Sequence, residues 1–354
     1  MQARRTRTSQ PIAQAARFQR PVQKENSEPL RSLTTRQNGV QLNRVIGRNE
    51  KQAQIAVIRP IEKETILRPD IKGSDRELLC ADFHDQSYQY LLRRENFFQI
   101  SPDFLAGCEV TPKMRSILVD WLVQVSSRFQ LVQETLHLTV YILDRMLATK
   151  TIGKDELQLV GITAMLVAAK FEEIFSPDMG DYEFITDNTY NRKQIIRMEL
   201  RVLDTIGFQL TRPCSLQFLR WFSRELQAEG IINDEDYNYV HVMAKYLGEV
   251  ALLDASMTHI KPSRIAIAGI VIGLKLRAVD IEISERLLFK AMQMVKVSIE
   301  EVKAVVGMLA FVALKPTYRS RLVAIKQKFA SSRLHSVSSW SEEMMKVAEE
   351  TTRI

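Results

Sequence analysis

The sequence predicts an all-α fold, with two helical domains of about a hundred residues each behind a disordered N-terminal tail. Three observations carry this. From about His84 onward, one helical apolar pattern follows another across short polar turns, and no alternating apolar–polar run bounded by turn residues appears. Only 13 glycines and 11 prolines interrupt 354 residues rich in Leu, Ala, Met, Glu, Lys and Arg. The chain also repeats itself: Val160-GITAMLVAAKF, ending at Phe171, aligns without a gap to Ile265-AIAGIVIGLKL, ending at Leu276, 105 residues later. Both segments are apolar, rich in small residues, and carry a lysine at the same position, Lys170 and Lys275. Small residues let neighbouring helices approach from several sides, so each segment reads as the central helix of its own bundle, and duplication explains the pair.

The elements follow in order. The first helix is expected over Tyr88–Glu95. The next opens at Thr111-Pro-Lys-Met, where threonine is the cap and proline takes the first helical position. Helical patterns then cover Gln133–Leu147, Lys154–Ile174 and Arg192–Thr205. Pro213 breaks the run, and the pattern resumes over Ser215–Glu229, Asp234–Leu253, Pro262–Leu276, Glu285–Val295 and Ile299–Ala313.

Charge separates the tail from the rest. Residues 1–75 hold 15 Lys/Arg against 7 Asp/Glu, whereas the remainder holds 34 against 35. The tail is rich in Gln, Arg, Ser and Thr, has Phe18 as its one aromatic residue, and shows no sustained period, which reads as disorder. A near-neutral folded part argues against specific nucleic-acid binding. Ile265–Leu274, the longest apolar run, is half a membrane span, so a soluble chain with no membrane partner is expected. Cys80, Cys108 and Cys214 are widely spaced, which suits a reducing intracellular compartment rather than a disulfide scaffold or zinc site.

Chemistry-bearing motifs are lacking. There is no G-x-G-x-x-G, P-loop or H-E-x-x-H, and His84, His137, His241, His259 and His335 have no metal-ligand spacing. No catalytic residue, metal site or cofactor is expected.

The helix MRSILVDWLVQV, Met114–Val125, stands out. At 100° per residue, Met114, Ile117, Leu118, Trp121 and Val125 form one stripe; Val119, Leu122 and Val123 widen it past a half circle, leaving Ser116, Asp120 and Gln124 polar. One bundle core needs a stripe of about 100°. The excess fits a fully enclosed helix or a docking surface, and periodicity leaves both open. Arg115 lies within the apolar arc, where an unpaired charge would cost several kcal/mol. Asp144, in the apolar context YILDRML, is the expected structural partner. Lys170 shares a face with Leu159, Thr163, Leu166 and Ile174, and Glu199 with Ile195, Val202 and Ile206; they either reach to the surface singly or pair at the rim of the first domain.

MRSILVDWLVQV is similar to the signature helix of the cyclins. The resemblance continues through LVQETLHLTVYILDRML, LQLVGITAMLVAAKFEEI, FITDNTYNRKQIIRMELRVLDTIGF and KYLGEVALLD, over nearly all of residues 84–335, and TPKMRSILVDWLVQV and ITDNTY look most like a mitotic B-type cyclin. It implies two tandem five-helix cyclin boxes. The implied organisation is a disordered regulatory tail at 1–76, an N-terminal helix and lead-in at 77–110, a first box at 111–210, a second at 211–336 and a C-terminal extension at 337–354.

The resemblance also implies a non-catalytic activator that forms a heterodimer with a cyclin-dependent serine/threonine kinase, drives mitosis, and resides in nucleus and cytoplasm. Lys170, Phe171, Glu199 and Phe208 match the family's kinase-binding residues. Met114, Ile117, Leu118, Trp121, Gln124, Leu157 and Gln158 match its hydrophobic patch, which docks substrates and inhibitors carrying Arg-x-Leu. Some relatives have a glutamate where Gln124 stands. Lys24-Glu25-Asn26 matches the KEN box, a degradation signal read by the anaphase-promoting complex; Arg76-Glu-Leu-Leu79 is the only early Arg-x-x-Leu. A competing class is a nucleic-acid-binding transcription adaptor, since paired cyclin-like domains also occur in general transcription factors. Such a protein would carry its basic excess on the repeats, and here the excess sits in the tail.

Overall fold

Thr111 opens the first bundle as its residue type demands: its side chain accepts from the Met114 amide at 3.3 Å, and Pro112 follows it into the helix. The computed structural model describes residues 83–228 and 232–339, together with 346, 349 and 350. These belong to one unit, Glu64–Ile354. Lys24, Glu25, Asn26 and Arg76–Leu79 lie outside the described residues.

Every described element is helical. Helix α1, His84–Phe97, precedes a first set of five: α2 (Pro112–Phe129), α3 (Gln133–Ala148), α4 (Leu157–Glu172), α5 (Met179–Ile185) and α6 (Arg192–Ile206). A second set of five follows: α7 (Ser215–Ala228), α8 (Asp234–Leu253), α9 (Pro262–Leu276), α10 (Ile281–Val295) and α11 (Ile299–Leu314). Two short helices, α12 (Pro316–Ser320) and α13 (Ala324–Lys328), close the chain's return to the first set.

The repeated segments are α4 and α9, and each is the buried centre of its set. Helix α4 packs on α2, α3 and α6, and α9 on α7, α8, α10 and α11. Small residues make this possible. A Cβ on Gly161 would stand 2.9 Å from Leu118 Cδ2, and one on Gly269 would stand 3.0 Å from Ala244 Cα. Neither helix could approach so closely with a larger residue there.

Caps set most of the boundaries. Asn191 and Gln194 form a capping box at the start of α6, Asn233 accepts from Asp236 N at the start of α8, and Ser298 from Glu301 N at the start of α11. Several boundaries differ from the sequence pattern. Helix α1 extends beyond Tyr88–Glu95 at both ends, and α10 starts four residues before Glu285. Helix α4 starts at Leu157 rather than Lys154 and stops at Glu172, so Ile174 does not share the Lys170 stripe. The stop has a visible cause: the Glu173 carboxylate accepts from Val132 N at 2.8 Å and Thr135 Oγ1 at 2.5 Å, drawing the chain out of helix. Helices α5, α12 and α13 were not anticipated, being too short to show a period.

A buried polar seam joins the two sets. Arg115, 1% exposed, holds Asp144 through two bonds, Nε–Oδ1 at 2.6 Å and Nη2–Oδ2 at 2.7 Å. Its Nη1 donates to Leu252 O at 2.9 Å and Leu253 O at 3.4 Å, and Ser116 Oγ donates to Leu253 O at 2.7 Å. The last carbonyls of a helix have no partner within it and carry its negative end, so a cation from the first set satisfies the terminus of α8 in the second. Beside it, Tyr318 Oη donates to Asp254 Oδ2 at 3.0 Å, and Lys315 pairs with the same carboxylate. Helix α1 reaches the second set through Glu95, whose carboxylate accepts from Ser263 N at 3.1 Å, Ser263 Oγ at 2.8 Å and Arg264 Nη1 at 3.3 Å.

Candidate protein-docking surfaces

Two apolar surfaces stay open on the first set. One lies where α4 ends beside α6. Lys170 Nζ and Glu199 Oε1 stand 2.6 Å apart; the glutamate side chain is 14% exposed and the lysine 49%. The pair sits at the rim rather than in the core, and an exposed pair of this kind adds at most about 1 kcal/mol to stability. Around it stand Phe171, Ile174, Phe175, Leu200 and Phe208, all exposed; Ile174 and Phe175 are each 91% exposed. The bonds of Glu173 to Val132 and Thr135 hold the turn that carries these two outward.

Helix α6 places the other side of this surface. Ile195, Met198, Val202 and Ile206 face the core, while Ile196 and Leu200 point away from it. Gly207 ends α6 at φ 60°, with Gly207 N bonded to Asp204 O and Phe208 N to Leu203 O. Phe208 then also takes a left-handed backbone, φ 57°, which is costly for an aromatic residue and turns its ring into solvent. Exposed apolar side chains beside a paired lysine and glutamate make this a candidate site for docking another protein. Sequence reasoning singled out Lys170, Phe171, Glu199 and Phe208 but missed Ile174, Phe175 and Leu200. For Leu200 the signal was present, since it is an apolar residue on the polar side of α6.

The second surface runs along α2 against the start of α4. Ile117 is 51% exposed, Gln124 is exposed, and Met114, Trp121 and Gln158 are half-buried. Leu118 and Leu157 correct the expectation of a patch open throughout: both are buried and form its floor. Leu118 is covered because Gly161 lets α4 press against it. Gln124 Nε2 donates to Asp120 Oδ2 at 3.1 Å, while Asp120 Oδ1 accepts from Ala324 N at 3.0 Å at the start of α13. Burial raises the Asp120 carboxyl above the ordinary range, against the pull of these two donors. The rim at Gln124 therefore presents an amide, tied to an acid that is itself committed to the C-terminal segment.

Among the described residues no cluster of three or more His, Cys, Asp and Glu could hold a metal ion. His137 and His241 are packing residues. Burial holds His137 down at about 3 and His241 at about 4, and His241 Nδ1 lies 2.7 Å from Ser223 Oγ. No described helix is long and apolar enough to cross a membrane.

The profile of the cyclin N-terminal domain matches residues 86–211, and that of the cyclin C-terminal domain matches residues 213–343. The chain belongs to the cyclin family. The two matched segments meet at Arg212, where the chain passes from the first set of five helices to the second. Members of this family are regulatory subunits of kinases rather than catalysts. Among its relatives are the G2/mitotic-specific cyclin-B1 of Caenorhabditis elegans, 45% identical over 270 residues (76% of this chain and 75% of that one), and the cyclin-B2 of Oryzias javanicus, 40% identical over 271 residues (76% and 67%). The same fold recurs in the crystal structure of the yeast RNA Pol II CTD kinase CTDK-1 complex, with a TM-score of 0.52, 13% identity, and coverage of 75% of this chain and 81% of that one. The cyclin fold thus extends over both halves of the described chain, and both candidate surfaces lie on the first.

Proposed function

We propose that this cyclin binds and activates a cyclin-dependent serine/threonine kinase and thereby drives entry into and progress through mitosis. The observation that carries the proposal is the apolar surface around Lys170–Glu199, open to solvent on a chain whose relatives are mitotic cyclins. Phe171, Ile174, Phe175, Leu200 and Phe208 supply its apolar area, and the ion pair supplies donors and acceptors for a partner's backbone. A kinase is switched on when its mobile helix swings inward, completes the Lys–Glu pair at the ATP site and frees the activation loop. A rigid apolar surface does this by binding the active arrangement more tightly than the inactive one, because a ligand shifts a population only by its differential affinity.

The α2 surface is the candidate docking patch for substrates and inhibitors with Arg-x-Leu motifs. The leucine would enter over Leu118 and Leu157, between Ile117, Trp121 and Gln158. With Gln124 at the rim, the motif's arginine meets an amide instead of a carboxylate, so docking would rest mainly on apolar contact. Lys24-Glu25-Asn26 would provide timed destruction through the anaphase-promoting complex, in a protein acting in nucleus and cytoplasm. The test is to combine the chain with an inactive cyclin-dependent kinase and follow histone phosphorylation. Activation that disappears in Lys170→Ala/Glu199→Ala while the fold persists supports the proposal; no activation by the unmodified chain defeats it.

A further inference from the structure

Three arginines lie on α1, α3 and the segment between the two boxes, none of them a residue of the two candidate surfaces. Arg212 lies over the Tyr141 ring, with 4.6 Å from its guanidinium carbon to the centroid. Arg94 lies over Phe98 at 4.4 Å and donates Nη2 to Thr211 Oγ1 at 2.5 Å, beside Arg212. Phe98 meets Tyr141 edge-on at 5.9 Å, and Arg145, one helical turn after Tyr141 on α3, lies near enough for its charge to act on the Tyr141 hydroxyl. Two guanidiniums thus lie over the two rings of one aromatic pair, Arg145 follows on the same helix as Tyr141, and all three residues are half-buried.

None of the three forms an ion pair among the described residues. Arg94 Nε is buried without a hydrogen-bond partner, and the Arg212 guanidinium is held by its contact with the Tyr141 ring. The carboxylates whose charge reaches Arg212 include Asp144 and Glu95, and both are committed: Asp144 to Arg115, Glu95 to Ser263 and Arg264. Tyr141 cannot supply the missing charge, since burial raises its hydroxyl and keeps it neutral. Burial also pushes Arg212 down, as expected for a cation without a counter-charge. A buried guanidinium nitrogen without a partner, with two further half-buried arginines near it, is a costly arrangement that a bound anion would relieve. A guanidinium presents paired donors that match tetrahedral oxyanions, and three of them suit a doubly charged one.

We propose that Arg94, Arg145 and Arg212 form an oxyanion site that takes a phosphate group, either as inorganic phosphate or carried on a phosphorylated side chain. The aromatic floor of Phe98 and Tyr141 lowers the local dielectric and strengthens the interaction. An anion bound there also ties α1 to the segment between the boxes, through Arg94 on one side and Arg212 on the other.

The test is thermal unfolding of the full chain, in chloride and in inorganic phosphate at equal ionic strength, for the unmodified protein, Arg94→Gln and Arg212→Gln. In phosphate the unmodified protein should gain roughly 2–4 °C, and each variant less than half of that gain. In chloride the Arg94→Gln variant should unfold at the same temperature as the unmodified protein or higher, because an uncompensated charge is gone. If Arg212→Gln fails to fold, Arg94→Gln alone decides. Equal phosphate gains in variants and parent, or an Arg94→Gln loss of the same size in both buffers, would overturn the proposal and leave the arginines as packing groups. A second arm titrates a phosphothreonine dipeptide and its unphosphorylated form. Tighter binding of the phosphorylated dipeptide than of inorganic phosphate assigns the site to a phosphorylated partner, and weaker binding assigns it to the free ion.

Discussion

The guanidinium of Arg115 donates to the main-chain oxygen of Leu252 at 2.9 Å, across 137 residues of chain. Through that bond an arginine of the family's signature helix becomes the C-terminal cap of a helix in the other box. Asp144 holds it through two bonds, and Ser116 donates to the next carbonyl of the same helix end, so all three meet at the junction of the boxes.

Asp144→Ala leaves Arg115 buried and charged with only carbonyl partners. Breaking a buried pair in this way costs about 3–5 kcal/mol. Urea unfolding should show a loss of that order, and an unchanged midpoint would mean the pair does not support the junction.

Ile174→Asp combined with Leu200→Asp should leave stability within about 0.5 kcal/mol, because both side chains are exposed. Binding to the kinase should weaken by at least about tenfold. Calorimetric titration separates the two effects, and intact binding would remove these residues from the interface.

Trp121→Ala should weaken an Arg-x-Leu peptide while leaving kinase activity toward a short, motif-free peptide nearly unchanged. Gln124→Glu should make binding more dependent on the motif's arginine, by up to about fivefold. Equal loss of docking and activation in Trp121→Ala would assign that residue to the core.

Acid should destabilise the fold through its histidines. Burial holds His137 at about 3 and His241 at about 4, below the ordinary 6.5. A base whose folded pKa is depressed stays neutral when folded and takes up a proton on unfolding. Its contribution is therefore present above pH 6.5 and lost as pH falls towards 4, by about 1.4 kcal/mol per pH unit for each histidine. Unfolding midpoints between pH 7 and 4 should follow this slope, and His137→Gln should flatten it. An unaltered slope in that variant would show that His137 is not the group titrating.

Much of this was legible in the sequence where charge or size is anomalous for its setting. Two small-residue helices 105 residues apart marked the two bundle centres, and Arg115 and Asp144, each a charge set in an apolar segment, pointed to one another. The rest was hidden for physical reasons. Leu252 and Leu253 act through carbonyl groups that every residue possesses, so no pattern marks them. Ile174 looked like a continuation of the Lys170 stripe until Glu173 ended the helix. Leu118 and Leu157 are the same residue type as an exposed docking leucine, and only their burial, for Leu118 through the close approach at Gly161, shows them to be floor. The arginine cluster joins residues from α1, α3 and the segment between the boxes, which no local period connects.

The central claim is that the surface around Lys170 and Glu199 switches on a kinase. The most direct measurement is histone phosphorylation by an otherwise inactive cyclin-dependent kinase, with the unmodified chain and with Lys170→Ala/Glu199→Ala at matched unfolding temperature. Strong activation by the first and little by the second is the predicted result. Equal activation by both, or none by either, would contradict it.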